Sequence, residues 1–322
     1  MLDWNKIKSE GWKPKDGEYL KILSIDGGGI RGLFPAQYLA NIEETTAKQI
    51  NQHFDLIVGT STGGIIALAL SIGIPAKNIV TLYEQNGKSI FKSKIANIKI
   101  LKTIKMMFRY SYKNKELTKL LTDIFNDKKM IDAETMLCIP SLEHNKAKPK
   151  VYKTPHNENL HIDQNKEMWK VALATSAAPL YFPPATEDGC KLDGGLWANN
   201  PLLVGITEAL NNNIKLEKIK VLSIGTGESL YLGNDSIPKR GGLLNWKNNL
   251  VDLFMNAQSY AVENMASYLI KKDNLIRINF KSTKKLELDC TNKECLYELK
   301  QEANKCFEYT FKNNQNVEKN FF

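Results

Sequence analysis

Apolar positions in this chain come in bunches separated by glycine. Residues 19–25, YLKILSI, form a nearly continuous apolar run that ends in Asp26 and three glycines. A short run of this kind, cut off by turn residues, predicts a strand. Helical patterning follows over residues 33–47. Residues 54–58 predict a second short strand, and residues 61–72 a mostly apolar helix. Strand, glycine turn and helix thus occur twice within the first 75 residues. That order predicts an α/β fold with a largely parallel central sheet flanked by helices. Residues 76–130 predict mostly helix. Residues 141–167, rich in Asn, Lys, Pro and His, predict loops around one strand at KVYKT. A helix is predicted over 168–177, stopped by Pro179, and a further buried strand at 219–224, IKVLSI. The tail from 245 to 312 is predicted to be helical with one strand, LIRINF, inside it. No repeat, long linker or composition break divides the 322 residues, which predicts a single domain over 1–322 with helical elaborations near 76–130 and 245–312.

Three of the turns carry chemistry-bearing residues. In GTSTG, Ser61 stands between Gly59 and Gly63 where a predicted strand becomes a predicted helix. Gly and Ser are ordinary turn residues, but a G-x-S-x-G elbow also exposes a serine hydroxyl beside a helix N-terminus. In DGGGIRG, Gly27, Gly29 and Gly32 satisfy G-x-G-x-x-G, so a dinucleotide-binding turn is a rival reading. That reading needs an acidic residue at the end of the next strand. Asp55 lies at the beginning of that strand instead. The other use of such glycines is to aim backbone N–H groups at one spot, as an oxyanion hole does. Gly28 and Gly29 are the best candidate donors. Arg31 is open to three roles: supporting the loop, attracting an anionic substrate, or a solvated surface position. In KLDGGLWANNP, Asp193 precedes Gly194 and Gly195. An Asp-Gly pair suits a hairpin turn, and it also suits a carboxylate general base for a serine.

Taken together, these stretches resemble the patatin-like phospholipase family. DGGGIRG, GTSTG and DGG occur in the family's order, with ATSAAPLYFPP at 174–184 and VLSIGTG at 221–227 as further likenesses. The resemblance spans about residues 20–230. It implies a modified α/β-hydrolase architecture with a Ser–Asp dyad: Ser61 as nucleophile, Asp193 as base, and Gly28 and Gly29 at the oxyanion hole. Gly27, Arg31, Gly32, Gly59, Gly63, Gly194 and Gly195 support the three motifs. It implies phospholipid acyl esters as substrates and no metal or organic cofactor. A classical triad would place a histidine after the acid in chain order, and no histidine follows Asp193. His156 and His161 lie in a polar segment and are expected at the surface. His53 precedes a strand and is expected to be structural. The chain is also similar to bacterial patatin-like effectors of antiphage signalling, which implies a cyclic dinucleotide activator. A constitutive lipid acyl hydrolase and a non-enzymatic lipid-binding or storage protein are the alternatives.

Charge and composition narrow the partners. The formal charge is +9, which favours anionic surfaces without naming one. Residues 88–115 hold nine Lys or Arg and no acid. Ile95, Ile98, Leu101, Ile104 and Phe108 recur at helical spacing there, with Lys92, Lys99, Lys102, Lys105 and Arg109 among them. Such a helix either packs on the core with a solvated basic face or lies on an anionic membrane. No nucleic-acid-binding module is recognisable, so no nucleic acid polymer is expected. Five cysteines without a C-x-x-C pair suit reduced thiols and a cytoplasmic protein, with recruitment to the inner face of the cell membrane. The N-terminus lacks the apolar core of a signal peptide, and the most apolar run, GGIIALALSIGI, is too short to span a bilayer.

Overall fold

The computed structural model describes residues 2–90, 110, 112–229, 243–282, 284 and 286–322. In chain order its elements are α1 (Trp4–Glu10), β1 (Leu20–Ile25), α2 (Leu33–Thr46), α3 (Ile50–His53), β2 (Leu56–Gly59), α4 (Thr62–Ser71), α5 (Ala76–Ile90) and α6 (Asn114–Phe125). Then follow β3 (Met136–Glu143), β4 (Lys148–Lys153), α7 (Met168–Thr175), β5 (Lys191–Asp193), α8 (Gly195–Ala198), α9 (Leu202–Asn211), β6 (Ile219–Ile224) and β7 (Glu228–Ser229). The last are α10 (Leu243–Leu269), β8 (Leu275–Ile278), β9 (Lys281–Ser282), α11 (Lys293–Phe307) and α12 (Asn316–Phe321).

Among the described residues, seven strands form one sheet in the order β4-β3-β2-β1-β6-β8, with β5 also beside β3. The core of the sheet is parallel: β1 pairs with β2 from Ile22↔Leu56 to Ile25↔Gly59, and with β6 from Leu20↔Ile219 to Ile25↔Ile224. β2 and β6, covered on both faces, are buried along their whole length or nearly so, which is why they read as continuous apolar runs. Helix α4 is buried almost all round and rests on β1, β2 and β3. This is the predicted α/β sheet flanked by helices.

The segment 141–167 holds β4 at Lys148–Lys153 among turns and loops, as expected, while β3, most of which precedes that segment, fell under no expectation. β3 is an eight-residue strand that pairs in parallel with β2 and antiparallel with β4 and β5. Its sequence, MLCIPSLE, hides a strand because Pro140 interrupts it. Pro140 falls where β2 has stopped pairing at Cys138 and β5 has not begun at Ser141. A residue without an N–H costs no ladder bond on that side. The tail also does more than decorate. β8, from the predicted strand LIRINF, runs parallel to β6 as an edge of the main sheet. Of the basic stretch 88–115, residues 91–109 and 111 lie outside the described residues. No helix among the described residues is long and apolar enough to cross a membrane.

His156, expected at the surface, is 1% exposed. Its Nδ1 meets Thr154 Oγ1 at 2.7 Å and its Nε2 meets Glu208 Oε1 at 3.1 Å. Trp12 Nε1–H donates to its carbonyl at 2.8 Å. Glu208 also holds the Lys153 ammonium. Cys138 joins His156 and Glu208, with the three ligand-type atoms within 4.8 Å of one another. Lys153 already supplies positive charge to this buried cluster, so it serves as a clamp between β3, β4 and α9. Burial holds the imidazole below its ordinary pKa, with Glu208 opposing. His156→Ala leaves a cavity beside Trp12 and takes one of the two strong partners from Glu208, with Lys153 remaining, and urea unfolding is expected to show a loss of about 1–3 kcal/mol.

Candidate active site

β2 ends in Gly59, and the chain bends through Thr60 and Ser61 into α4. Ser61 adopts φ 55, ψ −122, a conformation that an L-residue holds only when its surroundings fix it. Gly63 makes the bend possible, because a Cβ there would collide with the carbonyl of Ile25 at the end of β1. A Cβ on Gly59 would collide with the Gly63 carbonyl in turn. The Ser61 N–H donates to Thr175 Oγ1 at 3.0 Å, and the Thr175 hydroxyl donates to the Pro140 carbonyl at 2.5 Å. The Thr60 hydroxyl donates to the Ala198 carbonyl at 2.6 Å. The elbow is thereby tied to α7, β3 and α8.

β5 approaches the elbow from the opposite direction. Its last residue, Asp193, pairs with Ser141 of β3. The Asp193 N–H donates to the Ala177 carbonyl at 3.0 Å, and the Gly194 N–H to the Thr175 carbonyl at 3.2 Å. Gly194 packs directly on the Pro140 carbonyl. The Ser61 hydroxyl donates to Asp193 Oδ2 at 2.7 Å, and the Gly195 N–H donates to Asp193 Oδ1 at 2.7 Å. Burial pushes the Asp193 carboxyl up to about 6, while the Gly195 amide and the Ser61 hydroxyl pull the other way.

The glycine loop closes a third side. Gly27 donates its N–H to the Asn199 carbonyl at 3.0 Å, Ile30 to the Leu288 carbonyl at 2.9 Å and Arg31 to the Gly28 carbonyl at 3.1 Å. Gly29 takes φ 58 with the Leu288 carbonyl pressed against it, so a side chain has neither the backbone conformation nor the room. A Cβ on Gly27 would lie 3.3 Å from Ser61 Cβ, and one on Gly28 would strike the Thr226 side chain. Gly32 abuts the Thr62 and Tyr83 hydroxyls, which bond each other. Arg31 is 3% exposed, with Nε directed at the Gly28 carbonyl at 3.4 Å. Of its three expected roles, loop support fits, and the solvated position is corrected.

Two features escaped the sequence. Arg277, from β8, grips Asp26 with both ends of its guanidinium, at 2.9 Å to Oδ1 and 2.6 Å to Oδ2. It also donates to Ser223 Oγ at 2.8 Å. An arginine inside the apolar run LIRINF was the available signal, since a buried strand cation needs a buried partner. The second feature is a cavity of about 650 Å³ that opens beside Ser61. Gly28, Gly29, Ser61 and Asp193 line it together, and Ile65, Leu82, Leu121 and Phe182 supply apolar walls. None of the four histidines lines this cavity among the described residues.

A serine hydroxyl bonded to a buried carboxylate, beside glycine amides and an apolar cavity, is an arrangement chemically able to carry acyl transfer. Residues 23–206 match the Patatin family, described as patatin-like phospholipase. A cGAMP-activated phospholipase of Pseudomonas aeruginosa is 33% identical over 267 residues, covering 81% of this chain and 78% of that one. A cGAMP-activated phospholipase of Vibrio cholerae is 33% identical over 257 residues, 72% of each chain. Patatin-like protein 4 of Arabidopsis thaliana is 30% identical over 332 residues, covering 88% of this chain and 81% of that one. The chain belongs to the patatin-like phospholipase family and is a hydrolase.

The Asp193 carboxyl has a direct thermodynamic consequence. Its folded pKa of about 6 lies above the ordinary 3.8, so the native state holds the proton more tightly. That stabilisation is complete below the ordinary value and is lost as pH rises through 6. Asn at this position carries no charge; its Oδ1 accepts from the Gly195 N–H, and its Nδ2–H donates to the Ser61 oxygen in place of the bond that Asp193 accepts. Above pH 7, Asp193→Asn is therefore expected to be more stable than the parent by about 2 kcal/mol, with the advantage vanishing near pH 4. Thermal melts across that pH range measure it.

Proposed function

We propose that the chain is a serine lipid acyl hydrolase of the phospholipase A type, working through a Ser61–Asp193 dyad. The observation that carries this reading is the 2.7 Å bond from the Ser61 hydroxyl to Asp193 at the edge of an apolar cavity. Asp193 accepts the hydroxyl proton as Ser61 attacks the ester carbonyl. The Gly28 and Gly29 amides stabilise the oxyanion. The proton passes to the leaving lysophospholipid oxygen and an acyl-enzyme remains. Asp193 then takes a proton from water, the water oxygen attacks the acyl carbon, and the fatty acid leaves with Ser61 restored. Burial makes the carboxylate a stronger base than a solvated one, which offsets the lack of an imidazole.

Activation by a cyclic dinucleotide, in a defence response against phage, is the regulatory part of the proposal. It is supported by the bacterial relatives named cGAMP-activated phospholipases. The site of action is the inner leaflet of the cell membrane, reached from the cytoplasm.

Phospholipid vesicles are incubated with the purified protein, with and without a panel of cyclic dinucleotides, and products are read by mass spectrometry. Fatty acid and lysophospholipid are expected, with one cyclic dinucleotide raising their yield; equal yield in every arm means constitutive hydrolysis. Ser61→Ala is expected to lower kcat by at least about 10⁴-fold. Near-parental turnover by the folded variant rejects the dyad. His53, His144, His156 and His161, replaced one at a time, leave turnover by the folded fraction largely intact.

The pH profile and the glycines give independent readings. The limb of kcat/KM below pH 6 is expected to rise tenfold per unit and to level off above about 6, as Asp193 becomes ionised. Alanine at Gly28 or Gly29 forces the loop to shift, since its Cβ meets Thr226 or the Leu288 carbonyl, and the displaced amides are expected to lower kcat by about 10²–10³-fold, more than KM changes. Steady-state kinetics on a soluble ester separates the two parameters.

A further inference from the structure

Three apolar side chains at the cavity opening have no part in the chemistry. Leu180, Leu196 and Phe254 line the cavity and yet stand in solvent, at 45%, 49% and 64% exposure. They come from three separate segments: the loop after α7, the first turn of α8, and α10. Leu196 lies one residue beyond Gly195, whose amide holds Asp193, so the rim is rigidly joined to the site.

Leu180 is the most informative of the three. It takes φ 72, a left-handed conformation that leucine resists. The next two residues, Tyr181 and Phe182, are buried, and both donate their N–H groups to the Ala178 carbonyl, at 3.1 and 2.9 Å. The chain thus bends sharply at Leu180 and leaves its side chain half in water. Folding energetics favours the opposite: a glycine in that backbone, or a leucine turned inward.

We propose that this rim is the surface that docks the protein on a phospholipid bilayer, with Leu180, Leu196 and Phe254 entering the acyl layer. This rests on the phospholipase reading above and assigns the membrane-contacting face of the same site. The occupant follows from what lies behind the rim. The cavity is lined chiefly by apolar side chains and reaches Ser61, so an acyl chain passing from a bilayer under the rim reaches the hydroxyl without crossing water. A second copy or another protein seated there would close the opening that substrate must use. The chain's formal charge of +9 draws it to an anionic lipid surface, where apolar insertion then holds it.

Binding is measured with the Ser61→Ala protein, which consumes no lipid under the proposed mechanism. Vesicles of phosphatidylcholine, alone or with phosphatidylglycerol, are co-sedimented with it at low and physiological salt. Serine at Leu180, Leu196 and Phe254 together is expected to lower the partition coefficient at least about tenfold on both vesicle types. Leu180→Gly removes one side chain and relieves the backbone. It is expected to melt no lower than its parent and to bind vesicles more weakly. Phe254→Trp is expected to shift its emission to the blue on vesicles and to be quenched by lipids brominated in their acyl chains. Unchanged binding by a folded triple variant, or emission from the Phe254→Trp protein that is blind to brominated lipid, overturns the proposal. Binding that falls only when Lys99, Lys102 and Lys105 are neutralised moves docking to the basic stretch and overturns it as well. Failure of the hydrolase reading registers separately, as wild-type protein that releases no lysophospholipid with or without any cyclic dinucleotide of the panel.

Discussion

One strand aligns both halves of the site. β3 lends its first residues to β2 and its last residues to β5, and these two neighbours run toward each other along its edge. Between the end of one ladder at Cys138 and the start of the other at Ser141 lie only Ile139 and Pro140. Ser61 leaves the end of β2 and Asp193 closes β5, so the two side chains meet across that gap at 2.7 Å. Thr175 spans the junction, accepting from the Ser61 amide through its hydroxyl and from the Gly194 amide through its carbonyl. A slip of β5 by one residue would turn Asp193 to the other face of the sheet and separate the pair.

The same crowding sets the electrostatics. An apolar cavity suits a lipid acyl chain, and it also strips water from the Asp193 carboxyl. The carboxylate keeps two hydrogen bonds, from the Gly195 amide and the Ser61 hydroxyl, which limit the upward shift. The carboxyl pKa thereby sits near 6. The apolar environment and the raised carboxyl pKa are therefore one property of the fold.

The glycine loop is held from behind by a part of the chain that lies beyond the segment matching the Patatin family, residues 23–206. Arg277 of β8 fixes Asp26, Leu288 bonds the Ile30 amide, and Gln258 of α10 accepts the Asn199 amide at 2.5 Å. The tail is thus part of the scaffold for the site. Movement of α10 or of the Leu288 segment would be felt at Gly28 and Gly29.

Local order was legible in the sequence, because it rests on short-range rules. The apolar runs marked β1, β2 and β6, since a strand covered on both faces can carry few polar residues. The three glycine motifs marked Ser61, Asp193 and the loop, since close backbone approach leaves no room for a Cβ. The lack of any histidine after residue 161 set the order of the motifs apart from that of a Ser–Asp–His triad. What only the tertiary structure decided were the relations between distant segments. β3 was hidden by Pro140, whose tolerance depends on a gap between two other strands. His156 read as polar and exposed, and is buried because Glu208, 52 residues away, supplies its partner. Arg277 gained its meaning from Asp26, 251 residues earlier. The cavity and its exposed rim are assembled from several short segments far apart in the sequence. Hydrogen bonds and packing act over a few ångströms in space, and the sequence alone does not state which residues the fold will bring that close.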